Sequence, residues 1–366
     1  MTEQKSFTIQ RGALRLFFIY DVADTVDLAR LGTLAGEGLA RAPLALRPQV
    51  SPGHIEFTAP PLVAAAPRIR LGDDTLDVRV KIFDYGVVSV RFSVDFAGSM
   101  HAFTDLGREL RRSAAVAAAA RRTLDACLSE IAHALDDPHE ALLEDYAIFE
   151  VETFSEGVQR AALLGEGAPL LAALLSSEET PLAEQERNEL LRLNYSYFDD
   201  DLTVVLWDTA FVYDRREGAD ATEDILEFAN TQLAEARTYD ARLDAELDLI
   251  YQLEPGKVPR PFGVRSDARA AQLRYLLVDI HELNDRSANA LKIIGDAYYA
   301  RLYRGAAQRL GLAEWQRRID SKVQTVGEFY RFFTDRAQDS RANFNELVII
   351  VLIVVEIALA VLTLHR

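Results

Sequence analysis

The last twenty residues constrain this chain most. Leu347 to Leu364 reads LVIIVLIVVEIALAVLTL, with Glu356 as its single ionisable residue. A helix of about 18 residues rises roughly 27 Å, close to the ~30 Å hydrocarbon core of a bilayer. A buried core helix is the other reading. It requires packing on every side, and only His365 and Arg366 follow the run. The run therefore predicts one C-terminal transmembrane helix, residues 346–366, carrying a tail-anchored body. Arg331, Arg336 and Arg341 precede it and Arg366 alone follows, so the positive-inside rule puts the body on the cytoplasmic side. The opening stretch MTEQKSFTIQRG has no apolar h-region and no Arg-rich amphipathic pattern, so no targeting segment is expected there. With Ala- and Arg-rich usage of a bacterial kind, the expected location is the bacterial inner (cytoplasmic) membrane.

An ionisable group at mid-bilayer costs at least ~2.5 kcal/mol on insertion scales. A lone span offers Glu356 no partner. It is thus a candidate membrane or partner contact, meeting its own copies or a foreign helix; the plainer reading is a tolerated charge.

Ahead of the run, the pattern predicts an α+β chain. Residues 1–154 read as a mixed α/β domain. Leu14 to Tyr20 is an apolar strand, Asp24 to Leu39 a short helix and His54 to Thr58 a further strand. Leu76, Val78, Val80 and Ile82 alternate with Asp77, Arg79 and Lys81, which reads as a half-buried strand. Asp84-Tyr85-Gly86 is a turn into a second strand, Val87 to Val94. Phe103 to Leu135 is long enough for one or two helices, and Asp145 to Phe154 returns as a strand. Strand, helix, two strands, helix, strand is the order of a ferredoxin-like unit.

Residues 155–215 read as junction helices and a strand pair, with an acidic turn at Asp199-Asp200-Asp201. Residues 216–345 read as a long helical hairpin and stalk. One apolar seam runs Leu226, Ala229, Leu233, Ala236, Asp240, Leu243, Leu247, Ile250, and a second runs from Leu273 to Tyr298. A third passes through Ile319, Val323, Val326, Tyr330 and Phe333 towards the C-terminal run. Steps of three and four signal left-handed helix packing. Val323, Val326, Tyr330 and Phe333 are the candidate oligomer or helix-packing residues. The seams fit a hairpin within one subunit or an interface between subunits, and the polar seam residues Asp240, Asn284 and Ser287 favour specified partners.

The chemistry-bearing motifs are thin. No dinucleotide fingerprint, P-loop, His-Glu-x-x-His or Gly-x-Ser-x-Gly occurs. A formal net charge of -17 argues against nucleic acid as a partner. Cys127 is the only cysteine, which excludes an intrachain disulfide and a multi-thiolate metal site. His133 and His139 flank Asp136-Asp137, but a solvated turn explains them more simply than a metal site. Asp199 to Asp201 lacks the further carboxylates of a calcium loop. No cofactor and no metal are expected.

Several segments together resemble a known family. Lys81-Ile-Phe-Asp-Tyr-Gly-Val-Val-Ser-Val90, Glu144 to Val151, Tyr197 to Leu202 and the closing Asn345 to Glu356 are similar, in order, to blocks of the "required for meiotic nuclear division" family. The resemblance covers roughly residues 80–364. It implies a membrane protein; a mitochondrial relative supports organellar translation as a homo-oligomeric inner-membrane assembly, and no catalytic residues are implied. The expected function is a non-enzymatic, tail-anchored membrane scaffold. It would oligomerise in the lipid bilayer and present its α/β domain to an unknown protein partner. The alternatives are an oligomeric pore or ion-transport-related membrane protein, and an enzyme of unknown type.

Overall fold

The computed structural model describes residues 7–31, 45–48, 59–71, 74–214, 219–251, 280 and 296–329. Its backbone divides into two units: Met1–Thr238 with Leu283–Trp315, and Tyr239–Glu282 with Gln316–Arg366.

The first unit is built on one nine-stranded mixed sheet. Its strands are β1 (Thr8–Val26), β2 (Ala45–Pro48), β3 (Leu62–Leu71), β4 (Asp74–Ile82), β5 (Val87–Ser99), β6 (Leu135–Phe154), β7 (Asn194–Tyr195), β8 (Leu202–Val205) and β9 (Thr209–Tyr213). They lie in the order β2-β3-β4-β5-β1-β6-β9-β8-β7. The two longest, β1 and β6, sit side by side at the centre, with Leu14 opposite Phe149 and Leu16 opposite Ala147. Every neighbouring pair is antiparallel except β6 and β9, which run parallel.

The four strands assigned by their order to a ferredoxin-like unit, β1, β4, β5 and β6, are neighbours in the sheet. They do not close a layer of their own. β3 and β2 continue the sheet beyond β4, and β9, β8 and β7 continue it beyond β6. Gly86 adopts a φ of +84° in the turn between β4 and β5. A Cβ there would lie 1.7 Å from the Ala23 carbonyl oxygen, so only glycine fits.

The two faces of the sheet are covered differently. Alternation along β1 sends Leu14, Leu16, Phe18, Tyr20 and Val22 to one face. They meet Val78, Val80 and Ile82 of β4, Val88, Val90 and Phe92 of β5, and Phe149 and Val151 of β6. This face is capped by α1 (Met100–Arg111), α2 (Ala114–Ile131) and α4 (Ala168–Ser176), with α3 (Arg160–Leu164) and α5 (Glu184–Leu190) beside them. Phe103, Leu110, Leu124, Leu171 and Leu174 are among the buried side chains that the capping helices contribute. Ser99 and Ser113 cap the N-termini of α1 and α2, accepting from Ala102 N–H at 3.2 Å and Val116 N–H at 3.4 Å. A serine cap at residue 113 is what breaks the Ala-rich stretch into two helices. Packing is tight enough that Gly107 is required: a Cβ would sit 2.3 Å from the Phe149 ring.

The opposite face carries Phe17 and Ile19 of β1, Tyr146 and Ile148 of β6, and Ala210 and Val212 of β9. It is covered by α6 (Ala219–Tyr251) and α7 (Ala297–Arg309) through Ile225, Leu226, Phe228, Ala229, Leu302 and Tyr303. β4 is therefore not half-exposed along its whole length: Lys81 is buried beneath α6, while Arg79 stays exposed. From Ala221 to Asp240, α6 is buried on nearly all sides, including Glu223, Glu227, Asn230, Thr231, Gln232 and Glu235.

Residues 312–329 are helical and form α8, of which residues 316–329 belong to the second unit. Asp240, the polar residue of the first seam, lies 2.6 Å from Lys322 Nζ and 3.0 Å from Arg318 Nε on α8. The polar seam position is thus matched within one chain. Ile319 and Val326 are buried and Val323 is half-buried. Tyr330, Phe333 and Glu356 lie outside the described residues, as do the strand expected at 54–58 and most of the second seam.

The transmembrane helix is corrected at this level. Among the described residues no helix is long and apolar enough to cross a membrane. The longest, α6, spans 33 residues but is charged from its first turn, with Asp220, Glu223, Asp224 and Glu227. The run 347–364 lies outside the described residues. Among the described residues the architecture is α+β with no helix long and apolar enough to cross a membrane, which overturns the expected transmembrane, tail-anchored description.

Candidate functional site

A dense concentration of titratable groups lies between the sheet and the start of α6. The outward-alternating residues of three adjacent strands supply cations: Lys81 on β4, Arg91 on β5 and Arg15 on β1. Register sets them in rows, with Lys81 opposite Ser89, Arg79 opposite Arg91 and Ser93 opposite Arg15. α6 supplies the anions at helical spacing, Asp220, Glu223, Asp224 and Glu227. These positions share one face of the helix, and the earliest of them also complement the positive end of the helix dipole.

Lys81 Nζ donates to Asp224 Oδ1 at 2.9 Å and to Glu227 Oε2. Arg91 donates to Glu223 Oε1. Arg15 Nε lies 2.5 Å from Glu150 Oε2 and 2.9 Å from Glu223 Oε2, and its Nη1 donates to Ser93 Oγ at 3.2 Å. Further along α6, Arg237 donates to Glu144 at 2.8 Å. Tyr85 and Thr231 share a hydroxyl hydrogen bond of 2.9 Å, and Tyr303 donates to Gln232 Oε1.

The electrostatics fix the protonation states. Burial works against the Lys81 ammonium, but Glu227 and Asp224 outweigh it and hold its pKa above the usual lysine value. Burial likewise opposes the Glu223 carboxylate, and Arg91, Arg15 and Lys81 overcome that and hold it below the ordinary range. Glu150 behaves differently. Burial, together with repulsion from Glu223 and Asp220, pushes it up despite Arg15. The two carboxylates compete for one guanidinium, and Glu223 wins because Arg91 and Lys81 also face it. At the exposed edge, burial and then Arg91 pull the Arg79 guanidinium below its usual value. Such like-charged cross-strand pairs are unfavourable alone.

This layer can hold a helix on a sheet. It is poorly suited to proton transfer, which requires a group whose pKa lies near the working pH. Lys81 stays protonated, Glu223 stays ionised, and both hydrogen-bond inside the protein. Breaking such a pair is costly because the remaining charge stays buried.

The remaining sequence candidates are scattered. His139 Nε2 lies 3.4 Å from the buried Asp21 Oδ1. Among the described residues no group of three or more His, Cys, Asp or Glu is placed to hold a metal ion. Asp201 is buried and accepts from the Tyr197 and Phe198 N–H groups at 2.8 and 2.7 Å, so its carboxylate shapes the acidic turn. Cys127 is buried on α2, where burial and then Glu130 push its thiol up to about 12.

The sequence reading missed a surface feature. The Asp201-pinned turn holds Tyr197 and Phe198 outward, 62% and 47% exposed, with their rings 4.8 Å apart. Tyr197 also meets Tyr298, the second residue of α7, edge-on at 5.6 Å. Tyr298 contacts Tyr299 at 5.3 Å. Asp296 caps this helix, accepting from the Tyr298 N–H at 2.6 Å. Beyond the other end of β8, Trp207 is 68% exposed in the turn to β9. The adjacent Tyr and Phe in an acidic turn were the available signal.

Comparison with known proteins corrects the family. Uncharacterized protein MJ0711 of the archaeon Methanocaldococcus jannaschii is 26% identical over 220 residues, covering 60% of this chain. This chain spans 66% of that relative's length. No solved structure matches. The resemblance to the "required for meiotic nuclear division" family is therefore overturned. The blocks that suggested it are short, and a different family covers residues 11–220, which contain three of them. An archaeal relative, and the lack of a membrane-crossing helix among the described residues, likewise remove the support for a bacterial inner-membrane location. The family described as "Uncharacterized protein MJ0711, N-terminal domain" matches residues 11–220, more than half of the chain, and the chain belongs to it.

Proposed function

We propose that the protein is a non-enzymatic, homo-oligomeric scaffold whose sheet body is presented to a protein partner. The observation that carries this reading is where the aromatic side chains lie. Tyr197, Phe198 and Trp207 stand in solvent near the two ends of β8, while most of the charged groups under α6 pair with one another. Large exposed aromatic side chains contribute little to this fold and are the residue types favoured at the centres of protein interfaces.

The test uses the full chain and two variants, Tyr197→Ser with Phe198→Ser, and Trp207→Ser. Thermal unfolding of both should match the wild type within about 2 °C, since a surface substitution is worth about ±0.5 kcal/mol. Sedimentation velocity should show a self-associated wild type and at least one variant with weakened association. A wild type that is monomeric at tens of micromolar overturns the oligomeric part. A stoichiometric turnover of any small molecule retained through purification overturns the non-enzymatic part.

A further inference from the structure

The aromatic corner at the β7–β8 turn is set among carboxylates, and that combination has a chemistry of its own. Aromatic faces carry negative potential and attract ammonium and guanidinium groups, with Tyr and Trp binding them well. Tyr197 offers its ring nearly perpendicular to Tyr298, at 88°, and at 68° to Phe198. Of the three rings Tyr197 and Phe198 are exposed and open to a cation from solvent, while Tyr298 is buried. Around them the chain places Asp199 and Asp296, both exposed, and the buried Asp201. Their influence is felt at the rings: burial first, then Asp201 and Asp214, push the Tyr298 phenol up to about 12. Burial, then Asp214, Asp296 and Asp201, push Tyr299 up as well. The Arg160 guanidinium donates to Asn194 Oδ1 at 2.8 Å, and its backbone N–H donates to the Asp199 carbonyl at 3.0 Å.

We propose that the exposed Tyr197 and Phe198, with Tyr197 packed on the buried Tyr298, form together with Asp199 and Asp296 a docking surface for a basic peptide segment of a partner protein, an exposed Lys or Arg seating on the Tyr197 ring. Charge complementarity selects this occupant. An apolar or acidic segment would leave the carboxylates unmatched, whereas a basic one meets the rings and the acids together. The proposal deepens the scaffold reading and rests on it, since it names the kind of partner that the body receives.

Fluorescence anisotropy tests it with the full chain and a fluorescein-labelled peptide, Gly-Arg-Gly-Lys-Gly-Arg. A matched Gly-Glu-Gly-Glu-Gly-Glu peptide serves as control. The chain's net charge of -17 attracts any cation weakly, so a second control removes acid elsewhere. That control is Glu184→Gln with Glu186→Gln on the exposed face of α5. The expected result is saturable binding of the basic peptide only. Tyr197→Ser with Phe198→Ser should weaken it at least about fivefold, Asp199→Asn about twofold, and the α5 control less than twofold. Equal losses in the aromatic and α5 variants would mean generic attraction and would overturn the proposal. So would undiminished binding in the aromatic variant. If that variant instead loses self-association while the basic peptide never binds, the occupant is a second copy. The basic-segment proposal then fails, and the scaffold reading survives.

Discussion

The two faces of the central sheet are made by the same strands and held down by different physics. On the face under α1, α2 and α4, the buried set is apolar: Leu14, Phe92, Phe103, Phe149 and Leu171 meet without charges between them. On the face under α6, Phe17, Ile19 and Ile148 share the interface with Arg15, Lys81, Arg91, Glu223 and Glu227. Both faces are largely buried, yet only the first is indifferent to which apolar residue fills it. The second depends on each charge meeting its opposite. An apolar layer fails gradually as volume is removed. An ion-paired layer fails abruptly when one partner is lost, and recovers when both are replaced.

The largest expected effect lies on the apolar face. Phe149 is fully buried, stacks edge-on against Phe103 at 5.2 Å and fills the space over Gly107. Phe149→Ala should cost about 3–5 kcal/mol, measured by urea unfolding. Gly107→Ala approaches the same contact from the other side and should cost about 1–3 kcal/mol through overpacking. Combining it with Phe149→Leu should recover part of that cost. A Gly107→Ala protein as stable as the wild type would show that the face is looser than this contact implies.

The second expectation separates the faces. Lys81→Met removes a buried ammonium and leaves Glu227 buried without its partner, so the loss should reach about 3–5 kcal/mol. Adding Glu227→Leu should restore most of it, and the pair can exceed the wild type. Asp224 is half-buried and keeps access to water, so it need not be replaced. No second substitution at a neighbouring apolar position should rescue Phe149→Ala in this way. If Lys81→Met with Glu227→Leu remains as unstable as Lys81→Met alone, Lys81 acts by packing its methylene stem, and the contrast between the faces collapses.

Legibility in the sequence follows the same division. The apolar face shows as period-two alternation in β4 and β5, and Leu14 to Tyr20 reveals the middle of β1. The ends of β1 are mixed in character, so its full length, Thr8–Val26, is visible only through its partners β5 and β6. Asp136 to Pro138 reads as a turn, yet it belongs to β6. Proline is tolerated there because β6 pairs with β9 only from Ala147 to Val151, which leaves that stretch at a free edge. The parallel pairing of β6 and β9 joins segments some sixty residues apart, and no local pattern announces it. The charged layer was spelled out in Arg79, Lys81 and Arg91 and in the acidic spacing of Asp220 to Glu227. A polar face ordinarily means solvent, so alternation alone points the wrong way. The Tyr197–Phe198 corner was present as residues, but its exposure depends on Asp201 turning inward.

The smallest expected effect, and the finest probe of the charged face, is its pH dependence. Glu223 is held below the ordinary glutamate value in the folded protein. Its contribution to stability is therefore present above that value and is lost as pH falls through the folded-state pKa. Glu150 is raised, so its sign is opposite: its contribution is present below the ordinary value and is lost as pH rises through the raised one. The two carboxylates share Arg15 and pull the acid limb in opposite directions. Urea unfolding from pH 7 to pH 3 should separate them. Glu223→Gln should be less stable than the wild type at pH 7, and the gap should narrow on acidification, as the wild type loses what the variant never had. Glu150→Gln should match or exceed the wild type at pH 7, and its advantage should fade as the wild-type carboxyl takes up its proton. Each difference should be a fraction of the Lys81→Met effect, because the substituted amide keeps shape and part of the hydrogen bonding. Parallel pH profiles for the two variants would mean that Arg15 serves both carboxylates equally, and that Glu223 holds no preferred place in the layer.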